Sequence, residues 1–376
     1  MAWFGWKSGR GDARPGLGRR IGWIGGAGDG WPQSYEAQVR EAVLRNPVAQ
    51  RSLRLVSEGA AGVPIYGDDA AAMRAAALAA GVVETAAVHL LLHGNAYLRP
   101  VRNGAAQVVE LVALRPERVT VETDAAGWPS GWSYRAGEHV LRMVADESAG
   151  ADAAKSESKR PGLIHIRAVH PLDDHYGLGC LGAAAGAVAI HNASARWNKA
   201  LLDNAARPSG ALVYEPGEAG ATLSPDQFER LKAEMEASFS GAAHAGRPML
   251  LDGGLKWQAM SLTPADMDFA GLKAQAAREI ALAFGVPPML LGLPGDNTYA
   301  NYGEANRALY RLTVVPLATK IAQAVGAGLG AVLRLDLDQV PALAADRERL
   351  WAQVAGADFL TRDEKREMLG FGPSPT

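Results

Sequence analysis

The sequence predicts an α+β fold, and three observations carry that expectation. Strand-like segments separated by turn signals fill residues 96–167, behind a stretch of helical pattern. Two long helical stretches, 181–206 and 264–284, then bracket a small β-α-β-β insert. Finally, a helical pattern halts at Gly285-Val286-Pro287-Pro288, because proline lacks an N–H and pushes the residue before it out of the helix. A loop rich in Gly, Asn and Tyr follows over 292–303, and a helix opening at Glu304 carries Pro316 in its middle.

Taken in order, residues 1–33 combine Gly, Arg and Trp without a continuous apolar stretch, so they read as a flexible or partner-clasping arm and not as a secretory signal. Helical pattern begins at Ser34. Asn46-Pro47 has the form of an N-cap followed by proline at the first helical position, and Val48, Leu53, Val56 and Ala60 fall near one face. One helix is expected from about Ala70 to His93. Strands are expected over 96–102, 108–114, 119–123, 131–134, 140–144 and 163–167, with turns at Asn103-Gly104 and Ala126-Gly127. The charged stretch ADESAGADAAKSESKRPG between the last two reads as an exposed loop.

The alanine-rich helix 181–206 has no interior proline and would form a rod roughly 40 Å long at 1.5 Å per residue. Gly182 and Gly186 each cost it about 1 kcal/mol relative to alanine, which packing must offset. Pro208-Ser209-Gly210 ends the rod. The insert then reads as a strand at 211–214, a helix from Ser224 to Phe239, and strands at 249–251 and 255–260; Ser224, Pro225 and Gln227 suit the N-cap, N1 and N3 positions. The returning helix, 264–284, carries Phe269, Leu272, Ala276, Ile280 and Ala283 at helical spacing. In the helix 304–325, Tyr310, Leu317, Ile321 and Ala324 share a side, and Pro316 should kink it. A short strand at 333–337, a helix broken at Gly356, and a last helix capped by Thr361 with Glu364 three residues on complete the chain. No internal repeat is visible.

With 376 residues, 48% hydrophobic and 21% charged, the chain can form two or three ordinary globular units. Its net charge of −2 provides no overall basic field for gripping nucleic acid. A smooth pore through which DNA slides is compatible with that charge. The single cysteine, Cys180, excludes an internal disulfide framework and suits a reducing cytosol. No unbroken apolar run reaches the 18–20 or so residues that span a bilayer, so no membrane partner is expected.

Several motifs together resemble the HK97-type phage portal family. They are Asn46-Pro47, Gly94-Asn95-Ala96-Tyr97, Gly177-Leu178-Gly179-Cys180-Leu181, the segment Asn204 to Gly210, Gly253-Gly254-Leu255-Lys256-Trp257, and Thr361, Glu364, Arg366 and Gly370 near the end. The most specific is GVPPMLLG (285–292) followed by YANYGEANRALYR. The resemblance runs from about Ser34 to Gly372. It implies a portal fold with an α/β wing (34–170), a stem of two helices (171–207 and 263–287) and a small α/β clip (208–262). It further implies a tunnel-loop segment (288–303), a kinked wing helix and strand (304–340), and a reduced helical crown (341–376). The loop residues Asp296, Asn297, Thr298, Tyr299, Asn301 and Tyr302 would face a DNA channel, with Pro287, Pro288, Gly292, Gly303 and Pro316 as structural hinges. The implied protein is a ring of twelve subunits at one capsid vertex, through which double-stranded DNA is packaged and ejected. Its implied partners are other copies of itself, the major capsid protein, terminase, a head–tail adaptor and the passing DNA. No catalytic residue, metal or cofactor is implied. The particle would assemble in the host bacterial cytoplasm, and the short chain and compact tail also resemble the portals of gene transfer agents.

Two other classes remain open to the residues themselves. His170, Asp173, Asp174 and His175 could serve a metal-dependent hydrolase, although they are adjacent in sequence and lack the spacing of HExxH; a helix start or subunit contact suits them better. A head–tail connector other than a portal is the second. His89 and His93 lie four apart without a glutamate and read as helix-face or core histidines. Gly25–Gly30 mimics a phosphate loop but lacks GK[ST] and a preceding strand, so it reads as linker. Cys180 has no recognisable His partner and reads as a packing residue.

Overall fold

The computed structural model describes residues 31–144, 162–203, 210–214, 224–239, 255–259, 269–293 and 299–370. The chain divides into two compact units, one made of 1–186 with 278–376, the other of 187–277.

In the first unit, helix α1 (Tyr35–Val39) is capped by Ser34 and passes into a π turn, Arg40–Leu44. Helix α2 (Pro47–Ala61) starts as its sequence predicts: Asn46 Oδ1 accepts the amides of Val48 and Ala49 at 3.1 and 3.0 Å. A two-residue strand β1 (Ile65–Tyr66) follows. The single helix expected from Ala70 to His93 is instead two, α3 (Ala70–Ala80) and α4 (Val83–His93), bent by 56°. Gly81 ends the first, and Val82 takes a non-helical conformation that buries it beside Val83. Apolar burial thus overrides the helical pattern.

Six strands lie close to their expected bounds: β2 (Asn95–Arg102), β3 (Val108–Leu114), β4 (Val119–Thr123), β5 (Pro129–Ala136), β6 (His139–Val144) and β7 (Ile164–Arg167). They form two antiparallel sheets, ordered β3-β2-β7 and β4-β5-β6. Register places Tyr97 opposite Leu114 and His165 in one sheet, and Trp132 between Val121 and Met143 in the other. These apolar side chains make one core with Val119 and Leu163.

His165 is stacked on Tyr97 at 4.3 Å and meets the Trp132 ring edge-on. Burial, then the charges of Arg167 and His93, hold its pKa at about 3, and burial with Arg115 holds His89 at about 4. Both rings are therefore neutral in the folded chain where the unfolded chain binds protons, below about pH 6.5. Stability is intact above that pH and falls below it, each ring contributing at most about 1.4 kcal/mol per pH unit until its folded pKa is reached. Urea titrations between pH 7 and 4.5 should show this slope, and His165→Gln should reduce it by about one proton; an unchanged slope would refute the assignment.

Helix α5 (Leu181–Asp203) leaves the first unit with Leu181, Ala184 and Ala185 buried. In the second unit, β8 (Gly210–Tyr214) pairs antiparallel with β9 (Leu255–Ala259), Leu212 opposite Trp257. Helix α6 (Pro225–Phe239) opens as predicted, Ser224 Oγ accepting the Gln227 amide and Gln227 Oε1 accepting the Ser224 amide. The strand expected at 249–251 lies outside the described residues. Helix α7 (Phe269–Ala283) returns to the first unit. Its buried residues are Ala276, Ala277, Ile280 and Ala281, so the packed face is rotated from the predicted one and Leu272 is exposed. The alanines permit close packing that a larger-residue stripe would not.

Helices α8 (Tyr299–Leu309) and α9 (Val315–Leu329) are joined by a second π turn, Tyr310–Val314. Helix α9 packs against α3, α4 and β7 with Ala318, Ile321, Ala322 and Val325 buried. A Cβ on Gly328 would stand 2.5 Å from Ile164 Cγ1, so a larger residue there would force the Ile164 side chain to shift. By length and composition, the continuous helix 301–329 could cross a membrane, a property that counting unbroken apolar runs had not revealed. A third of its most apolar stretch is buried, with Val314, Ala318, Ile321, Ala322 and Val325 in the core of this unit. The expected strand 333–337 is the shorter β10 (Arg334–Leu335), paired with β1 so that Ile65 faces Leu335. Helices α10 (Ala344–Ala355) and α11 (Arg362–Met368) end the chain, the second with the predicted Thr361–Glu364 capping box. The Thr361 amide and hydroxyl both donate to Glu364 Oε2 at 2.7 Å, and these two bonds hold the Glu364 carboxyl below its usual range.

Candidate functional site at the hinge and loop of residues 285–303

Helix α7 ends in a Schellman motif. The Gly285 amide donates to Leu282 O and the Val286 amide to Ala281 O, both at 2.9 Å. Gly285 has φ +68°, the left-handed conformation this motif needs. Phe284 and Val286 are buried on either side of it, which fixes the hinge in the core of the first unit. Pro287 and Pro288 lead into a short 3₁₀ turn, Pro288–Leu291, closed by Gly292 at φ +69°. Gly285 and Gly292, both in the left-handed conformation, thus bracket the Pro287-Pro288 segment.

Asp296, Asn297 and Thr298 lie outside the described residues. The loop was expected to last to Gly303, but helix α8 begins at Tyr299 and takes in Asn301, Tyr302 and Gly303. Gly303 costs a helix about 1 kcal/mol, and the Glu304–Arg307 ion pair at 3.0 Å offsets part of that. Asn301 and Tyr302 are exposed on this first part of the helix.

The disruption predicted at Pro316 takes the form of the π turn Tyr310–Val314, which widens the backbone ahead of the proline ring. This turn is flanked by two glycines. A Cβ on Gly59 of α2 would lie 3.1 Å from Val314 Cγ2, and one on Gly285 would lie 2.7 Å from Thr313 Oγ1. Thr313 Oγ1 donates to Gly285 O at 2.8 Å. Arg307 and Arg311 reach Asp346 of α10 at 3.6 and 4.0 Å, and Arg347 donates to Asp338 and to Leu369 O, so the helical tail is tied to α8 and to itself.

Two other predicted motifs meet each other. Asn95, fully buried, accepts the Gly177 amide at 2.7 Å through Oδ1 and donates from Nδ2 to Gly177 O at 3.3 Å. The same amide oxygen receives His165 Nε2–H, and Nδ2 also reaches His93 Nδ1. Cys180 N donates to Leu91 O at 2.6 Å, which seats the start of α5 against α4. Burial pushes the Cys180 thiol up to about 11, so it is a packing group and not a thiolate nucleophile.

The His170–His175 cluster serves its own loop. Asp173 Oδ1 accepts the amides of His175 and Tyr176 at 2.7 and 2.9 Å, and His170 Nδ1 accepts the Leu172 amide at 3.0 Å. Among the described residues, no group of three or more His, Cys, Asp or Glu side chains is placed to hold a metal ion.

Comparison with known proteins agrees with this geometry. The family profile described as "Phage portal protein" matches residues 77–370. A 222-residue match to an uncharacterized protein of Rickettsia felis is 48% identical and covers 57% of this chain and 57% of that protein. The chain is 45% identical, with a TM-score of 0.66, to a chain in the neck of a native gene transfer agent particle computed with C12 symmetry, covering 94% of this chain and 98% of that one. An HK97 family portal protein from Corynebacterium diphtheriae shares the fold at 17% identity, with a TM-score of 0.54 over 82% of this chain and 98% of that one. A helix–hinge–loop–helix architecture of this kind, matched by the family profile over most of its length, has one consistent reading: the chain belongs to the phage portal protein family.

Proposed function

We propose that twelve copies of this chain form the portal ring at one vertex of a phage-like particle of the gene-transfer-agent kind, and that double-stranded DNA enters and leaves through its centre. The observation that carries the proposal is the 45% identity, over nearly the whole chain, to a subunit of a twelvefold particle neck. In this reading α5 and α7 belong to the stem, the β8–α6–β9 segment to the clip, residues 34–170 and 304–340 to the wing, and α10 and α11 to the crown. The outer surfaces of the ring take the major capsid protein, terminase and a head–tail adaptor. The segment 288–303 forms the constriction.

The physical requirement on such a channel is weak attraction, since each phosphate neutralised would act as a brake on sliding. Residues 263–285 carry Asp266, Asp268 and Glu279 against Lys273 and Arg278, a net of −1. The loop 292–303 adds only Asp296, with Asn and Tyr side chains that can touch a DNA backbone without holding it. Electron microscopy of the purified chain should show closed rings with an open centre. Deleting residues 296–301 should leave those rings intact while particles lose packaged DNA. Wild-type DNA content in such particles would refute the loop's role, and a strictly monomeric chain in particles would refute the ring.

A further inference from the structure

We propose that Thr313 is a positioning residue for the channel segment, acting as a latch between the end of α7 and the helix behind the loop. The inference rests on the channel reading above and adds to it a named residue and a mechanism. Its basis is the π turn. A π turn holds one residue more than the α-helix around it, and such turns recur at functional sites. Here a Cβ on Gly285 would clash with the Thr313 hydroxyl at 2.7 Å, and one on Gly59 would lie tight against Val314 at 3.1 Å. Small residues thus line the turn on two sides.

The extra residue sets which side chain faces α7. The turn buries Val314, leaves Leu312 78% exposed, and aims Thr313 Oγ1 at the carbonyl of Gly285. Gly285 is the point where the α7 backbone reverses hand, and its carbonyl lies beyond the last helical hydrogen bonds of α7. One side-chain hydrogen bond therefore ties the two stems of the segment 286–312, which contains the whole proposed constriction. This bond constrains how the end of α7 meets the turn behind the loop.

The test uses assembled particles carrying the full-length chain, with nuclease-protected DNA per particle as the readout and rings per particle by electron microscopy as the control. Thr313→Val keeps the shape and removes the donor. It should leave ring occupancy unchanged and lower protected DNA about fivefold, the population change that one ordinary hydrogen bond controls. Thr313→Ser, which restores the hydroxyl, should return most of the loss. Gly285→Ala should lower protected DNA at least as far, because its Cβ displaces the Thr313 hydroxyl and alanine at φ +68° adds strain of its own. Normal DNA content in the valine variant, or a serine variant as poor as valine, overturns the latch. The deletion of 296–301 separates the two ideas. If it is defective while the valine variant is normal, the channel reading stands and the latch falls. If the deletion is itself normal, both fall.

Discussion

Gly177→Ala is expected to cost the first unit about 3–6 kcal/mol, a large part of the stability of an ordinary domain. A methyl group there would press into Gly94 O and lie 2.7 Å from Ala168 N and 2.9 Å from Ala168 O. All of these neighbours are backbone, so no side chain can swing away. The backbone cannot yield easily either. Gly94 already has φ +80°, its carbonyl accepts the Ala168 amide at 2.8 Å, and Asn95 grips Gly177 through both its amide and its carbonyl. Moving Gly177 breaks that pair of bonds and leaves a fully buried amide side chain partly unpaired. Denaturant unfolding of the purified chain provides the measurement. A loss below 1 kcal/mol would mean that these two segments do not meet as described.

Phe284→Ala should cost about 3–5 kcal/mol, the range for truncating a fully buried aromatic ring. Only 1% of Phe284 is exposed, and it sits between the last turn of α7 and the left-handed Gly285. The cavity would therefore open beneath the hinge itself. Beyond the stability loss, limited proteolysis should accelerate within 287–293, because the anchor holding that stretch would be gone. A variant with wild-type stability would show that the hinge is held by something other than the core.

The parts of this fold that the sequence disclosed are those with local causes. Asn46-Pro47, Ser224-Pro225 and Thr361 with Glu364 cap helices through bonds spanning only a few residues, and each does so in the structure. The strands from β2 to β7 were likewise legible from alternation and turn residues. What sequence reading missed depends on distant partners. Val82 leaves the helical pattern because the core accepts it there, and Ile65 is a strand residue only because Leu335 comes to pair with it. Helix α8 absorbs Gly303 with the help of an ion pair that composition alone does not rank.

The candidate site divides in the same way. Pro287, Pro288, Gly292, Gly303 and Pro316 read as hinges by residue type, and of these Gly303 lies inside helix α8. Thr313 gave no such signal, since its partner lies 28 residues earlier and the π turn that aims it has no simple periodicity. The same holds for Asn95 and Gly177, 82 residues apart. The family resemblance marked both positions, but only the hydrogen bonds explain why an Asn-Gly pair is wanted there.

The first unit is assembled from two stretches of chain with the second unit threaded between them. That arrangement has a consequence for the protein's birth on the ribosome. When residues 31–186 have emerged, the faces of α3, α4 and β7 that α9 will cover are still bare, and β1 has no β10 to pair with. At a synthesis rate of roughly 5–20 residues per second, the nascent half-domain waits several seconds or more in that state. During that interval it presents apolar surface and an unpaired strand to other nascent chains, each of which would carry the same surfaces. Timing of translation, and any chaperone that attends it, therefore bears directly on how many correctly folded subunits reach a ring.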